Sequence, residues 1–226
     1  MNFKHFLLLH APSSLNRIAF KMWGKSCPYF AVNDIHKAIF THIPKCAGNS
    51  IQMALFSEKV SHNYLWLYKV YDRKRFRNYF KFTFVRNPYD RMVSAFFFMK
   101  NGGMHCEDQL WADKYLWNFQ TFNDFITKMD QSPEFFKLIM SQQHFQQQYL
   151  FVTDYRKRLL VDYIGRFESL NKDFKHITEY LNIKAKKLNH TNKGKHLDWH
   201  EYCTKSIKDK IYEYYRQDFE LFGYDR

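Results

Sequence analysis

The sequence has few of the residues that mark linker-like or loop-rich proteins. It contains only 7 glycines and 5 prolines, against 24 phenylalanines and 16 tyrosines. So much aromatic surface must be buried or used to stack ligands, which excludes a disordered chain. We therefore expect a protein with a sizeable hydrophobic core.

Cysteines and long apolar runs are also scarce. The 4 cysteines are widely spaced without a Cys-x-x-Cys pair, which gives no sign of a disulfide framework or zinc knuckle and fits a reducing compartment. The apolar run Phe6–Leu9 is too short for a signal core or a spanning helix. We predict a soluble, cytoplasmic protein. The segment through Lys21, Met22 and Trp23 fits a packed N-terminal arm, which we favour, or a basic amphipathic contact with a membrane surface.

Acidic residues are outnumbered by basic ones. The 22 Asp and Glu residues against 35 Lys and Arg residues give a formal net charge of +13. Such a surplus suits phosphate or sulfate esters, polyanionic glycans, nucleic acid or anionic lipid headgroups, and it does not choose among them.

Two strand–loop–helix units are present in the first half of the chain. Residues 37–43 predict a short strand, followed by a turn and a helix over residues 49–56. Residues 80–85 predict a second strand, after which Asn87 suits a helix N-cap and Pro88 the first residue of a helix. Two such units predict an α/β fold with a mostly parallel central sheet flanked by helices.

The rest of the chain is predicted to be mainly helical. We expect residues 1–36 to form an arm packed on a single domain of residues 37–226. Within that domain the further expected elements are helices in residues 110–150 with a new start at Ser132-Pro133, a third strand in 159–167, a helix in 170–181, a basic loop in 184–195 and a C-terminal helix with an apolar stripe from Ile207 to Phe222.

The loop after the first predicted strand reads HIPKCAGNSI. A nucleotide triphosphatase loop places lysine directly after its second glycine, but here Lys45 precedes Gly48, which weakens that alternative. Gly48 allows the close approach or positive φ that a phosphate-binding turn needs. The start of a helix still predicts an anion-binding nest of backbone N–H groups. The residues that supply them are Ala47, Gly48, Asn49 and Ser50.

The second unit carries basic residues at the matching position. Arg86 lies at the carboxyl end of its strand, where ligands bind open α/β sheets, and Arg91 and Ser94 are three residues apart on the following helix. An arginine fork with a hydroxyl suits a terminal phosphate. Alternatively, Arg86 pairs with a carboxylate and Ser94 packs between helices. Two anion sites at consecutive strand ends together favour ligand binding.

These segments carry a resemblance. IFTHIPKCAGNSI and FTFVRNPYDRMVSAFFF resemble the two signature segments of sulfotransferases that use 3'-phosphoadenosine 5'-phosphosulfate (PAPS), specifically the family 2, or Golgi-type, carbohydrate sulfotransferases and their bacterial relatives. SQQHFQQQYLF, DYIGRFESLNKDF and LNHTNKGKH are similar to weaker blocks in the same order. The resemblance implies a P-loop-like three-layer fold and sulfuryl transfer from PAPS to a carbohydrate hydroxyl without a metal.

The resemblance also implies roles for the two anion sites. The loop that begins at Lys45 holds the 5'-phosphosulfate, and Arg86 with Ser94 holds the 3'-phosphate. Asn49 stands where the family commonly has Thr or Ser, and its amide can donate in place of the hydroxyl. Lys193, in a basic run, either closes over the 3'-phosphate or adenine or belongs to a solvated loop.

Sulfuryl transfer needs a cation at the leaving oxygen and a base at the acceptor hydroxyl. Lys45 suits the first role as a compact charge. Histidine suits the second because its unperturbed pKa is about 6.5. His62 resembles the position of the base in related carbohydrate enzymes, with His42 and Glu168 as rivals. The alternatives are a solvated or hydrogen-bonded loop residue for His62 and a capped core residue for His42. For Glu168 they are an orienter of the base or a charge early in a helix that favours the dipole.

Two other functions fit parts of the sequence. A P-loop-type phosphotransferase would bind ATP with magnesium, and a nucleic-acid-binding protein would show a steep dependence on salt. For a sulfotransferase, acceptor specificity is expected in residues 101–148. Trp111, Tyr115 and Trp117 lie there and either stack on sugar faces or pack inside, and we favour packing for most of them.

Overall fold

The computed structural model describes residues 11–22, 26–58, 62–188 and 197–226. The chain divides into two compact units. The first unit consists of Met1–Ile43, Ala47–Val85 and Gln148–Asn189, and the second of Pro44–Cys46, Arg86–Gln147 and His190–Arg226. The expectation of one domain from residue 37 onwards, preceded by an arm, stays a prediction.

A three-stranded parallel sheet lies in the first unit. Its strands are β1 (Ala38–Thr41), β2 (Phe80–Val85) and β3 (Tyr163–Arg166), with β2 in the middle. Every residue of β1 is buried, and so is every residue of β2 after the first, as expected for strands covered on both faces. The predicted α/β fold with a parallel sheet flanked by helices is therefore confirmed, and it is consistent with a P-loop-like sulfotransferase fold.

Helices make up most of the remaining described chain. In order they are α1 (Ser13–Met22), α2 (Ala31–His36), α3 (Gly48–Phe56), α4 (Leu65–Tyr71), α5 (Arg73–Asn78), α6 (Pro88–Lys100), α7 (Cys106–Tyr115), α8 (Phe122–Gln131), α9 (Pro133–Ser141), α10 (Tyr149–Val152), α11 (Leu170–Tyr180) and α12 (Lys205–Phe222), with 3₁₀ turns at Phe167–Ser169 and Trp199–Glu201.

Local capping explains why several of these helices begin where the sequence predicts. The Asn87 side chain accepts a hydrogen bond from the Tyr89 N–H at 2.9 Å, and Pro88 opens α6. The Ser132 hydroxyl accepts from the Phe135 N–H at 3.2 Å at the start of α9. Both predicted helix starts are confirmed.

The third strand is shorter than predicted. Residues 159–167 were expected to be extended, but β3 begins at Tyr163. The Asp154 carboxylate accepts from the N–H groups of Arg156 and Arg158 and closes a turn. This turn folds Leu159 back into an antiparallel bridge with Thr153, so that residue does not join the sheet.

Four helices were not predicted: α1 and α2, which lie in the expected N-terminal arm, and α4 and α5. Helices α4 and α5 lie between the first helix of the loop unit and β2, in a stretch of mixed aromatic and basic residues. The Asp72 carboxylate accepts from the N–H groups of Lys74 and Arg75 at 3.1 and 3.0 Å and begins α5. The predicted basic loop, residues 184–195, has no regular structure over residues 184–188, and its residues 189–195 lie outside the described ones.

The second unit has its own core, in which α6 packs against α8 and α12. Aromatic and aliphatic side chains from these helices form one buried cluster, which includes Phe96, Phe125, Ile126, Ile211 and Tyr215. Helix α6 contributes to this core, and it carries the second of the predicted anion-binding segments.

Candidate active site

The loop after β1 contains two strained backbone positions. Lys45 has a φ of 70° and Ala47 a φ of 59°, both in the left-handed region. A residue with a side chain pays roughly 1–2 kcal/mol for this conformation, and such positions cluster at ligand sites. Left-handed residues within a turn direct successive backbone N–H groups to one side, which forms an anion nest. The loop backbone therefore fits the phosphate-binding role predicted for it.

Arg86 lies directly after β2, and its guanidinium makes three described contacts in the second unit. Its Nε and Nη2 donate to the two carboxylate oxygens of Asp90 at 2.7 and 2.8 Å. Its Nη1 donates to the backbone carbonyl of Lys45 at 3.1 Å. The structure therefore contains the alternative that the sequence left open for Arg86, which is pairing with a carboxylate. The pair with Asp90 fixes the plane of the guanidinium, and the third contact holds the loop.

Arg91 is a buried structural cation. It is 1% exposed, and its guanidinium donates to the backbone carbonyls of His144 at 3.1 Å and of Gln146. A longer contact of 3.5 Å reaches the carbonyl of Pro44, just before Lys45. Within the described part of the chain its Nε has no hydrogen-bond partner. Arg91 therefore holds backbone segments, and its guanidinium is not presented to solvent as a phosphate ligand would be.

Lys45 sits against an aromatic ring. Its Nζ is 3.6 Å from the centroid of the Phe98 ring, on α6. Burial lowers the pKa of Lys45 to about 7, with the charge of Arg86 as the next cause, while Cys46 and Asp108 act in the opposite direction. Near neutral pH the ammonium can therefore both carry charge and give up a proton. The sequence analysis assigned no role to Phe98.

Gly48 opens α3 in the first unit, and a contact explains why it is glycine. A Cβ at this position would lie 1.8 Å from Cδ2 of His42. His42 is 3% exposed and follows β1. Close approach, and not a positive φ, is therefore the reason for glycine here.

The two candidate histidine bases are in contact. Nδ1 of His62 is 3.0 Å from the backbone carbonyl oxygen of His42, and the ring centroids are 3.9 Å apart. Because a carbonyl oxygen only accepts, this bond requires the proton on Nδ1 of His62. The lone pair of the neutral ring is then on Nε2, as a general base needs.

The first turn of α3 contains the remaining residues that were predicted to bind the sulfuryl donor. The first helical hydrogen bond runs from the Ile51 N–H to the Ala47 carbonyl at 3.1 Å. The preceding N–H groups lie at the positive end of the helix. The Asn49 Oδ1 accepts from the Gln52 amide at 3.1 Å, which orients the Asn49 side chain with its amide nitrogen on the opposite edge. Ser50 is half-buried in the same turn.

Other predicted residues are placed as follows. Ser94 is buried on α6 in the second unit. Glu168 is exposed in the 3₁₀ turn after β3, and Lys193 lies outside the described residues. The Trp111 and Tyr115 rings pack against each other at 5.3 Å, whereas Trp117 is 74% exposed. Packing therefore accounts for two of the three aromatics in the predicted acceptor region.

Comparison with known families identifies the chain. The model of the sulfotransferase family matches residues 28–225, and the chain therefore belongs to that family. Neither the curated proteins nor the solved structures give a significant match. Across the described residues, no helix has both the length and the apolar character required to span a bilayer, and no group of three or more His, Cys, Asp or Glu side chains is arranged to hold a metal.

Proposed function

We propose that the protein transfers a sulfuryl group from PAPS to a hydroxyl group of a carbohydrate, in a glycan, glycolipid or surface polysaccharide. Family membership supports sulfotransfer in general. The observation that supports the finer proposal is Lys45, whose partly buried ammonium has its pKa lowered to about 7 by burial and whose backbone, like that of Ala47, lies in the left-handed region. We further propose a cytoplasmic location.

The donor would be held by its two phosphorylated ends. The loop from Lys45 to Ser50 would bind the 5'-phosphosulfate, because it combines an ammonium with backbone N–H groups at the start of a helix. Arg86 and Ser94 would bind the 3'-phosphate, with Lys193 as a further contact. The residues present fit this donor, since the loop carries positive charge and a left-handed backbone, and the described residues around Lys45 include a second cation, Arg86.

Lys45 would act on the leaving group. Negative charge develops on the departing oxygen during sulfuryl transfer, and an ammonium in a site with little water stabilises such charge by several kcal/mol. With its lowered pKa, Lys45 can also donate its proton to that oxygen. The nearby Phe98 ring keeps water from one side of the ammonium.

His62 would act as the base. Its Nε2 would accept the proton of the acceptor hydroxyl, because Nδ1 is engaged with the carbonyl of His42. His42 is less suited, since it is buried and its ring packs against Gly48. Glu168 is the other alternative. An acid and a base of this kind complete the chemistry with side chains of this chain alone.

The test is transfer of radiolabelled sulfate from PAPS to a panel of glycans. Lys45→Ala should abolish transfer, and the matched control Lys37→Ala should not, because Lys37 is also a lysine in the left-handed region, with a φ of 50°. His62→Ala should lower turnover, with His36→Ala, from the same unit, as its control. Binding of ATP that requires magnesium, with no sulfate transfer, would instead favour a phosphotransferase.

A further inference from the structure

Helix α1 exposes more of its aliphatic side chains than a surface helix of a soluble protein usually does. Its inward face carries Asn16, whose amide donates to the Val70 carbonyl at 2.8 Å, and Phe20. Its outward face carries Leu15, Ile18 and Met22, which are 55%, 57% and 79% exposed. Their spacing of three and four residues places these side chains on one face of the helix. A helix of a soluble protein normally presents its polar face to water.

Basic side chains border this apolar face. Helix α1 contains Arg17 and Lys21 and no acidic residue. Its N-terminal end contacts the start of α5, where the Arg73 guanidinium donates to the Ala11 carbonyl at 2.9 Å. The Asp72 carboxylate, which caps α5, lies 3.9 Å from Arg17. The surface therefore combines exposed aliphatic side chains with an excess of positive charge.

A cleft beside α1 repeats this combination. Arg17, Lys21, Ile18 and Tyr71 line it, together with Ser26 and Cys27. Two cations over an apolar wall suit a phosphate group that is attached to an acyl chain. The aliphatic face itself is small, because a specific protein–protein interface needs roughly 800 Å² from each partner and three side chains cannot supply it. Binding to a bilayer surface instead combines the buried apolar area with the attraction of basic side chains to anionic lipids, so a small aliphatic face bordered by cations suits it better.

We propose that α1 binds the surface of an anionic lipid bilayer. Leu15, Ile18 and Met22 enter the boundary between headgroups and acyl chains, and Arg17 and Lys21 contact lipid phosphates. The helix lies in the plane of the interface. This inference rests on the surface of the first unit and does not depend on the proposed function.

The test is co-flotation of the full chain with vesicles of phosphatidylcholine alone or mixed with phosphatidylglycerol. We expect binding to the anionic vesicles that weakens with salt, and little binding to the neutral ones. Ile18→Ser should weaken binding by about tenfold, because it removes one inserted aliphatic side chain. Lys21→Ala should weaken it by about fivefold. The matched control is Ile35→Ser, since Ile35 is 70% exposed on α2 of the same unit.

Three results would overturn the proposal. The first is equal binding to neutral and anionic vesicles, and the second is equal loss in Ile18→Ser and Ile35→Ser. The third is a dimer that forms without lipid and is lost in Ile18→Ser, because the face would then be covered by a second copy of the chain. Circular dichroism melting of each variant shows whether a loss of binding reflects unfolding.

Discussion

The guanidinium of Arg86 donates a hydrogen bond from Nη1 to the backbone carbonyl of Lys45, across 3.1 Å. Lys45 is held in the left-handed region, with a φ of 70°. A side chain that follows the second strand therefore supports the backbone of the residue that we propose as the catalytic acid.

Replacing Arg86 by lysine should weaken donor binding although the charge is kept. A lysine cannot form the two-pronged contact with Asp90 and also reach the Lys45 carbonyl. We expect binding of 3'-phosphoadenosine 5'-phosphate to weaken at least tenfold, since hydrogen bonds to charged groups contribute about 1.5–3 kcal/mol. Isothermal titration calorimetry measures this. Arg158→Lys is the control, because Arg158 also pairs with an aspartate four residues away, at 2.7 Å. Unchanged affinity in Arg86→Lys would contradict the role given to Arg86.

The pKa of Lys45 predicts a pH dependence of donor binding. In the folded protein burial lowers this pKa from 10.5 to about 7. A bound anion favours the charged form of Lys45, so binding of 3'-phosphoadenosine 5'-phosphate above pH 7 should take up a proton. The association constant should therefore fall by up to about tenfold for each pH unit above 7. Calorimetry in buffers of different ionisation enthalpy counts the proton. Lys45→Ala should show no uptake, and Lys37→Ala should behave as wild type. Uptake that persists in Lys45→Ala would assign the proton to another group.

The same pKa has a consequence for stability. Between the folded value of about 7 and the unfolded value of 10.5, the unfolded chain binds more protons at Lys45 than the folded chain does. The contribution of Lys45 to the free energy of unfolding should therefore rise with pH through this range. Urea unfolding of wild type and Lys45→Ala at several pH values measures it. The free energy of unfolding of wild type minus that of Lys45→Ala should rise as the pH rises through this range, and a value that falls would contradict the assignment.

Gly48→Ala should destabilise the protein through a steric clash with His42. The added Cβ would lie 1.8 Å from the imidazole, and forcing atoms into a packed site costs about 1–3 kcal/mol. Thermal unfolding measures the cost. The double variant Gly48→Ala with His42→Ala should recover part of the loss, because the ring is then absent. Ala47→Gly, at a φ of 59°, should instead be neutral or stabilising. If the double variant loses as much stability as the sum of the two single variants, the clash of the added Cβ is not with His42.

His62→Ala should reduce turnover without weakening donor binding. A general base contributes about 10²–10⁴-fold to a rate, and His62 is not among the residues proposed to hold the donor. Single-turnover sulfate transfer and calorimetry separate the two effects. If His62→Ala keeps full turnover while His42→Ala or Glu168→Gln loses it, the assignment of the base moves to the residue whose variant is inactive.

Local signals explain which parts of the fold were predictable. The bounds of β2 were predicted from a run of apolar residues, and the start of α6 from Asn87 and Pro88. The short extent of β3 was not predicted. It depends on the turn closed by Asp154 and on a pairing of Leu159 with Thr153, and no local sequence pattern indicates either of them. Helices α4 and α5 were missed because the mixed aromatic and basic residues in this stretch do not show the regular apolar spacing of an amphipathic helix.

The candidate site was predictable in its residue types and not in its contacts. The order of Lys45, Gly48 and Arg86 along the chain indicated an anion-binding site. The contact of Lys45 with Phe98 and the fit of Gly48 against His42 arise from residues that are brought together only by folding. The Arg86–Asp90 pair spans a single helical turn and was the alternative that the sequence left open.

The central claim is that the protein binds an adenosine carrying both a 5'-phosphate and a 3'-phosphate. Calorimetry without magnesium should compare 3'-phosphoadenosine 5'-phosphate with adenosine 5'-monophosphate, in wild type and in Arg86→Lys. The account predicts that loss of the 3'-phosphate weakens wild-type binding by about tenfold to a hundredfold, and that Arg86→Lys reduces this difference. Equal affinity of the wild type for the two nucleotides, or binding only of ATP with magnesium, would contradict it.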